Sequence, residues 1–88
     1  MSQLLTAKTV LVIGGTGSIG TEIVTQALSQ GPRAVRILSR DEHKQHLHKI
    51  KFAGRSELRF FIGDVRDAGR VTRAMEGVDV VFHAAGLY

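Results

Sequence analysis

The segment VLVIGGTGSIGTEI, Val10 to Ile23, constrains this chain more than any other part of it. Thr9–Ile13 is rich in β-branched residues and stops at Gly14-Gly15, so it reads as a buried strand. From Ser18 to Gln30 the pattern becomes helical, with Ile19, Ile23, Val24, Ala27 and Leu28 on one face. Gly31-Pro32 then ends the helix, because proline lacks the required N–H and clashes with the preceding turn. Between strand and helix lies GGTGSIG, which fits two overlapping patterns: Gly15-x-Gly17-x-x-Gly20 and Gly14-x-x-Gly17-x-x-Gly20. A glycine directly after the strand permits a tight turn at an unusual φ. Gly17 lets the main chain approach a pyrophosphate, and Gly20 lets the helix lie close to the sheet. The free amides of the first helical turn, backed by the positive end of the helix dipole, then face the phosphates. A strand, a turn almost bare of side chains and a helix start are what a dinucleotide site requires.

The rest of the chain repeats the alternation. Ala34–Leu38 is a second strand, and Ser39 with Glu42 forms a capping-box pattern that starts a helix near Arg40. His43, Leu47 and Ile50 are expected on that helix's inner face. Leu58–Ile62 is a third strand. Asp67 caps a short helix carrying Val71, Ala74 and Met75, which Gly77 ends, and Val78–Phe82 is a fourth strand. The order β-α-β-α-β-α-β predicts an α/β fold: a Rossmann-type doubly wound parallel sheet of four strands covered on both faces. Right-handed crossovers give the strand order 3-2-1-4, and ligands are expected at the carboxyl ends, at the switch point between strands one and four. Residues 1–88 read as part of one dinucleotide-binding domain.

Which dinucleotide is bound turns on the end of the second strand. An NAD site places Asp or Glu there for the ribose 2′-hydroxyl, whereas this chain has Ser39 and Arg40. A hydroxyl and a planar guanidinium suit a 2′-phosphate, and Lys44 adds charge one helical turn on, so NADP is expected over NAD. The competing reading has Asp41 supply the acid and Arg40 lie on the surface. In GDVRD, Asp64 stands just past the third strand, where a carboxylate can accept from an adenine amino group, with Val65 packing on the ring. Asp64 as a plain turn residue is the alternative. HAAG, His83 to Gly86, ends the fourth strand in small residues that leave room for a ribose or nicotinamide.

Composition narrows the partners. The formal net charge is +4, and Arg33–Arg59 alone carries +5, which suits an anionic ligand. The basic segment has neither aromatic platform nor nucleic-acid motif, so no nucleic-acid partner is expected. There is no cysteine, and His43, His46 and His48 cannot all face one way on a helix, so no metal site is expected. No apolar run approaches the ~20 residues needed to span a bilayer. MSQLLTAKT lacks the layout of a secretion signal. A cytoplasmic chain without a membrane partner is the expectation.

With these residues in place, the chain resembles the extended short-chain dehydrogenase/reductase superfamily. Within it, the likeness is to the nucleotide-sugar 4,6-dehydratases of polysaccharide biosynthesis, the UDP-N-acetylglucosamine inverting type. GGTGSIG, SRDEHKQ, RFFIGDVRD and AMEGVDVVFHAAG carry the resemblance over nearly the whole chain. It implies a lyase with a tightly held NADP, which oxidises the sugar at C4, permits loss of water across C5–C6 and returns the hydride. By the same resemblance Thr16, Gly17, Ser18 and Ile19 line the pyrophosphate turn. Ser39, Arg40, Asp41 and Lys44 surround the adenosine phosphate, Asp64 and Val65 the adenine, and Ala84 the ribose side. The family continues HAAALKHVP where this chain has HAAGLY, so Tyr88 stands at the lysine position. The Tyr-x-x-x-Lys pair is expected beyond this chain, which would then be an N-terminal portion holding no catalytic residue, with a nucleotide sugar bound only when the remainder is present. A catalytically silent NADP sensor or scaffold is the alternative, and self-association through an exposed fourth strand is expected.

Overall fold

The computed structural model describes residues 4–14 and 16–84. Four strands and three helices alternate: β1 (Thr9–Ile13), α1 (Ser18–Leu28), β2 (Ala34–Ser39), α2 (Glu42–Lys51), β3 (Leu58–Ile62), α3 (Ala68–Ala74) and β4 (Val80–His83). The sheet is parallel throughout and ordered β3-β2-β1-β4, the Rossmann-like arrangement expected from the alternation. Its register sets Ile13 against both Leu38 and His83, and Ser39 against Ile62. All four carboxyl ends therefore come level along one margin of the sheet.

Burial follows position in the sheet. Every residue of β1 is buried, as are Val35, Ile37, Leu38 and Ser39 of β2. The edge strands β3 and β4 are only partly buried, each having a single neighbouring strand. The alternation of side chains along a strand splits the core in two. Val10, Val12, Val35 and Ile37 face Val24, Ala27 and Leu28 of α1, while Leu11, Ile13 and Leu38 face Ala74 of α3.

Several local expectations are corrected. In α1, Ile19 is 54% exposed at the helix start rather than on the inner face, whereas Ile23, Val24, Ala27 and Leu28 pack inward. The helix ends at Leu28 and not Gln30. The second helix begins at Glu42, capped by Asp41, whose carboxylate accepts from the Lys44 N–H at 2.9 Å. Ser39 is the last residue of β2 instead of a cap, and its hydroxyl accepts from the Asp41 N–H. His43, Leu47 and Ile50 do not form the inner face of α2: Leu47 is 49% and Ile50 63% exposed, and Gln45 and His48 are buried in their place. Met75 follows α3 as an exposed C-cap. Asp67 does cap α3, accepting from Arg70 N–H at 3.1 Å, and Gly77 leaves the helix at φ +72°. The fourth strand starts two residues late, because the Asp79 carboxylate and N–H are engaged with Thr9 at the amino end of β1.

Candidate functional site

At the carboxyl margin of the sheet lies an open pocket of about 510 Å³. Each strand end supplies part of its wall: Ile13 of β1 with Gly14 after it, Leu38 to Arg40 at the end of β2, Gly63 to Arg66 after β3, and His83 from β4. The position follows from topology. A parallel sheet whose connections diverge on either side of β1 leaves a crevice that no crossover fills.

The turn leading from β1 into α1 borders this pocket. Gly14 has φ +78°, a region in which side chains are strained, and its N–H donates to Leu38 O at 2.8 Å. The turn thus continues the hydrogen bonding of the sheet while reversing away from it. Gly17 differs. Its φ is −78°, which any residue can adopt, and a Cβ built there would meet nothing among the described residues closer than the Gly14 carbonyl oxygen at 4.0 Å. Neither backbone strain nor packing against the described residues demands glycine at 17. Gly17 is also the N-cap of α1, which has no side-chain cap and no acidic residue in its first turn. A helix start without a carboxylate is suited to an anion.

The β2 end is tied to the glycine turn. Ser39 and Thr16 hydroxyls lie 3.0 Å apart, and Ser39 is buried. The Ser39 hydroxyl also accepts from Asp41 N–H, and either hydroxyl of the Ser39–Thr16 pair can be the donor to the other. Arg40 reaches across the pocket mouth to Asp64, 3.2 Å away, with its side chain largely exposed. Asp64 is also gripped by Arg66, whose Nη2 lies 2.8 Å from one carboxylate oxygen and whose backbone N–H bonds the other at 2.9 Å. The Arg66 side chain, then its backbone N–H, then the charges of Arg66 and Arg40 hold the Asp64 carboxyl well below the usual carboxylate range. In turn, Asp64 raises the Arg66 guanidinium above its ordinary value.

Of the residues singled out from the sequence, Gly14, Ser39, Arg40, Asp64 and Val65 line the pocket. Thr16 joins them through Ser39. Gly17, Ser18, Ile19 and Gly20 form the adjoining helix start. Asp41 and Lys44 stand apart from the lining, at the start of α2, with the Asp41 carboxylate engaged as its cap. Ala84 follows β4 and donates its N–H to Ile13 O at 2.8 Å. Gly15, Gly86 and Tyr88 lie outside the described residues. His43 and His46 are exposed while His48 is buried, so the three histidines do not converge.

Three contributors escape a reading of apolar pattern. Arg66 closes an Asx turn on Asp64, a signal carried by the spacing of two in GDVRD. Gln45, 2% exposed, donates from its amide to Ser39 O at 3.2 Å and Phe61 O at 2.9 Å, tethering the ends of β2 and β3. His48 Nε2 lies 2.9 Å from the Thr21 hydroxyl of α1. No local sequence signal marks Gln45 or His48, because a buried polar residue is selected by what it meets across the fold.

Comparison with known proteins agrees with this geometry. A family profile described as polysaccharide biosynthesis protein matches residues 10–88. A Methanocaldococcus jannaschii protein, described as an uncharacterized membrane protein, is 50% identical over 88 residues, covering 99% of this chain and 26% of its own length. A UDP-glucose 4-epimerase of Rickettsia conorii is 44% identical over 84 residues, covering 91% of this chain and 24% of the relative. The X-ray structure of Pen from Bacillus thuringiensis superposes with a TM-score of 0.92 at 43% identity, over 96% of this chain and 26% of Pen. WbmF of Bordetella bronchiseptica, in complex with NAD+ and UDP, gives 0.73 at 25% identity, over 93% of this chain and 24% of WbmF. The chain thus spans about a quarter of the length of these proteins. Among the described residues, no helix is long and apolar enough to cross a membrane.

Proposed function

This chain belongs to the family of polysaccharide biosynthesis proteins, and from that premise we propose that it forms the nicotinamide-dinucleotide-binding part of a nucleotide-sugar epimerase or 4,6-dehydratase. The observation that carries the reading is the start of α1: uncapped, glycine-lined, free of acidic side chains and set beside the pocket at the strand ends. Gly14 to Gly20 would take the pyrophosphate, with Gly17 giving the clearance that a side chain would remove. Asp64 and Val65 would take the adenine, and Ala84 the ribose side. The complex of WbmF with NAD+ and UDP supports a nicotinamide dinucleotide together with a uridine nucleotide.

NADP is the form we assign. Arg40 offers an exposed guanidinium at the pocket mouth, while the Asp41 carboxylate, the competing reader of a ribose hydroxyl, caps α2. Bound at this site, the nicotinamide would supply a hydride acceptor that is restored within each turnover. Epimerisation at C4, the activity named for the Rickettsia relative, and 4,6-dehydration both leave the substrate's overall oxidation state unchanged. Both are met by hydride removal from C4 and its later return, so the same cradle serves either. The partner would then be a nucleotide sugar, bound only where the remainder of such an enzyme is present.

Titration calorimetry of the chain with NADP and with NAD tests the assignment. NADP is expected to bind more tightly, and Arg40→Ala to weaken NADP by about 1.5–3 kcal/mol, the worth of a hydrogen bond to a charged group, with little change for NAD. An equal loss for both cofactors would show that Arg40 does not read the phosphate. Binding of neither would sink the proposal.

A further inference from the structure

We propose that His48 of α2 is a positioning residue for the phosphate-facing start of α1, its Nε2–H holding the Thr21 hydroxyl against the Gly17 carbonyl. The proposal rests on the reading of that helix start as the dinucleotide site. Thr21 Oγ1 lies 2.7 Å from Gly17 O and 2.9 Å from His48 Nε2. A hydroxyl has one proton, and a carbonyl can only accept. If Thr21 donates to Gly17, then His48 must donate to Thr21. The opposite assignment places the ring proton on Nδ1, which is buried and has no hydrogen-bond partner. An unpaired buried N–H is rarer and less tolerable than an unpaired lone pair, so the Nε2–H tautomer is the one this geometry selects. Burial, and secondarily the charge of Lys51, lowers the proton affinity of the ring, which keeps His48 in this neutral form.

The consequence for the site comes from the planarity of the peptide group. The Gly17 carbonyl and the Ser18 N–H belong to one peptide unit and point in opposite directions. The carbonyl accepts twice from Thr21, from its N–H at 2.8 Å and from its hydroxyl, so it is aimed into the body of α1. The Ser18 N–H is thereby aimed away from the helix, toward the side where phosphate would lie. Nothing in Gly17 itself fixes this plane, since glycine is the least restricted residue and no side chain caps the helix. The helical bond from Thr21 N–H supplies one restraint, and a second comes through the Thr21 hydroxyl from α2. There His48 stacks edge-on against Phe52, with centroids 5.7 Å apart, and Gln45 one turn earlier is fastened to the ends of β2 and β3. Neither His48 nor Thr21 lines the pocket, so both act through Gly17.

The test uses the full chain with NADP as the probe. Nitrogen-resolved NMR of the imidazole is expected to show His48 protonated at Nε2; a proton at Nδ1 would overturn the relay. In calorimetry, His48→Leu is expected to weaken NADP about fivefold or more, the loss of one net hydrogen bond's restraint, while circular dichroism shows a folded chain. His48→Gln, which keeps an N–H at the reach of Nε2, should recover most of that loss. Thr21→Val should match His48→Leu, and the double variant should be no worse than either alone. A folded His48→Leu that binds NADP like the wild type overturns the proposal and leaves the dinucleotide site intact. Should His48→Leu fail to fold, an unchanged affinity in Thr21→Val overturns it and a matching loss supports it. If the wild type binds neither NADP nor NAD, the site reading fails and this proposal with it, an outcome distinct from wild-type binding that ignores position 48.

Discussion

The helices α1 and α2 occupy equivalent places, each carrying the chain from one strand to the next, yet they are held by different forces. α1 presents Val24, Ala27 and Leu28 to a sheet face of Val10, Val12, Val35 and Ile37. That contact is apolar and tolerant of small rotations, because dispersion and burial have little directionality. α2 presents Gln45 and His48, and leaves Leu47 and Ile50 to solvent. Its inner contacts are hydrogen bonds to Ser39 O, Phe61 O and the Thr21 hydroxyl, each with a required direction. Apolar packing stabilises the sheet; directional bonding places its carboxyl ends and the start of α1. The difference teaches that α1 is placed by apolar burial and α2 by directional bonds.

The comparison breaks most readily at the apolar end. Leu28→Ala should cost about 2–5 kcal/mol in urea unfolding, the range for truncating a buried leucine. Leu47→Ala, at a position of the same residue type on α2, should stay within about 0.5 kcal/mol. Comparable losses at both would mean that α2 is buried as α1 is. Gln45→Leu comes next: it removes the buried amide donor from Phe61 O and from Ser39 O, the latter keeping its bond from Gly63 N–H, and should cost about 1–3 kcal/mol despite the gain in apolar volume. A neutral result would reduce Gln45 to filler. Asp41→Ala should cost about 1 kcal/mol through loss of the α2 cap, whereas no such cap exists to be removed at Gly17.

The smallest effect is that of pH. His48 has a lowered pKa, so the unfolded chain takes up its proton first as the solution is acidified. Its contribution to stability is present above the ordinary histidine value and is lost as pH falls from about 6.5 toward the depressed folded value. Denaturation midpoints of the wild type should decline over that window more than those of His48→Gln, and parallel curves would remove burial of His48 as the cause. Asp64 acts lower on the scale with the same sign: its depressed carboxyl contributes above the ordinary carboxylate range and loses that contribution as acid protonates it.

The strands, their order and the glycine turn were legible because each depends on local or topological rules. Branched apolar runs make strands, and right-handed crossovers fix 3-2-1-4. The inner face of α2 was not legible. Periodicity chooses the apolar set His43, Leu47 and Ile50, whereas the fold buries Gln45 and His48, whose partners are a carbonyl 16 residues later in the chain and a hydroxyl 27 residues earlier. Ser39 shows the same limit at closer range. Its sequence partner for capping is Glu42, but the hydroxyl is held by Thr16, which only the pairing of β1 with β2 brings near.

By itself the sequence determined where the chain turns and where its backbone is left bare of side chains. Those properties reside in glycine's missing side chain and in the alternation of apolar runs with helical segments, both readable along the chain. Only the tertiary structure decided which polar side chains aim that backbone. A hydrogen bond between distant residues has no local signature, and its direction is set when strands and helices come to rest against one another.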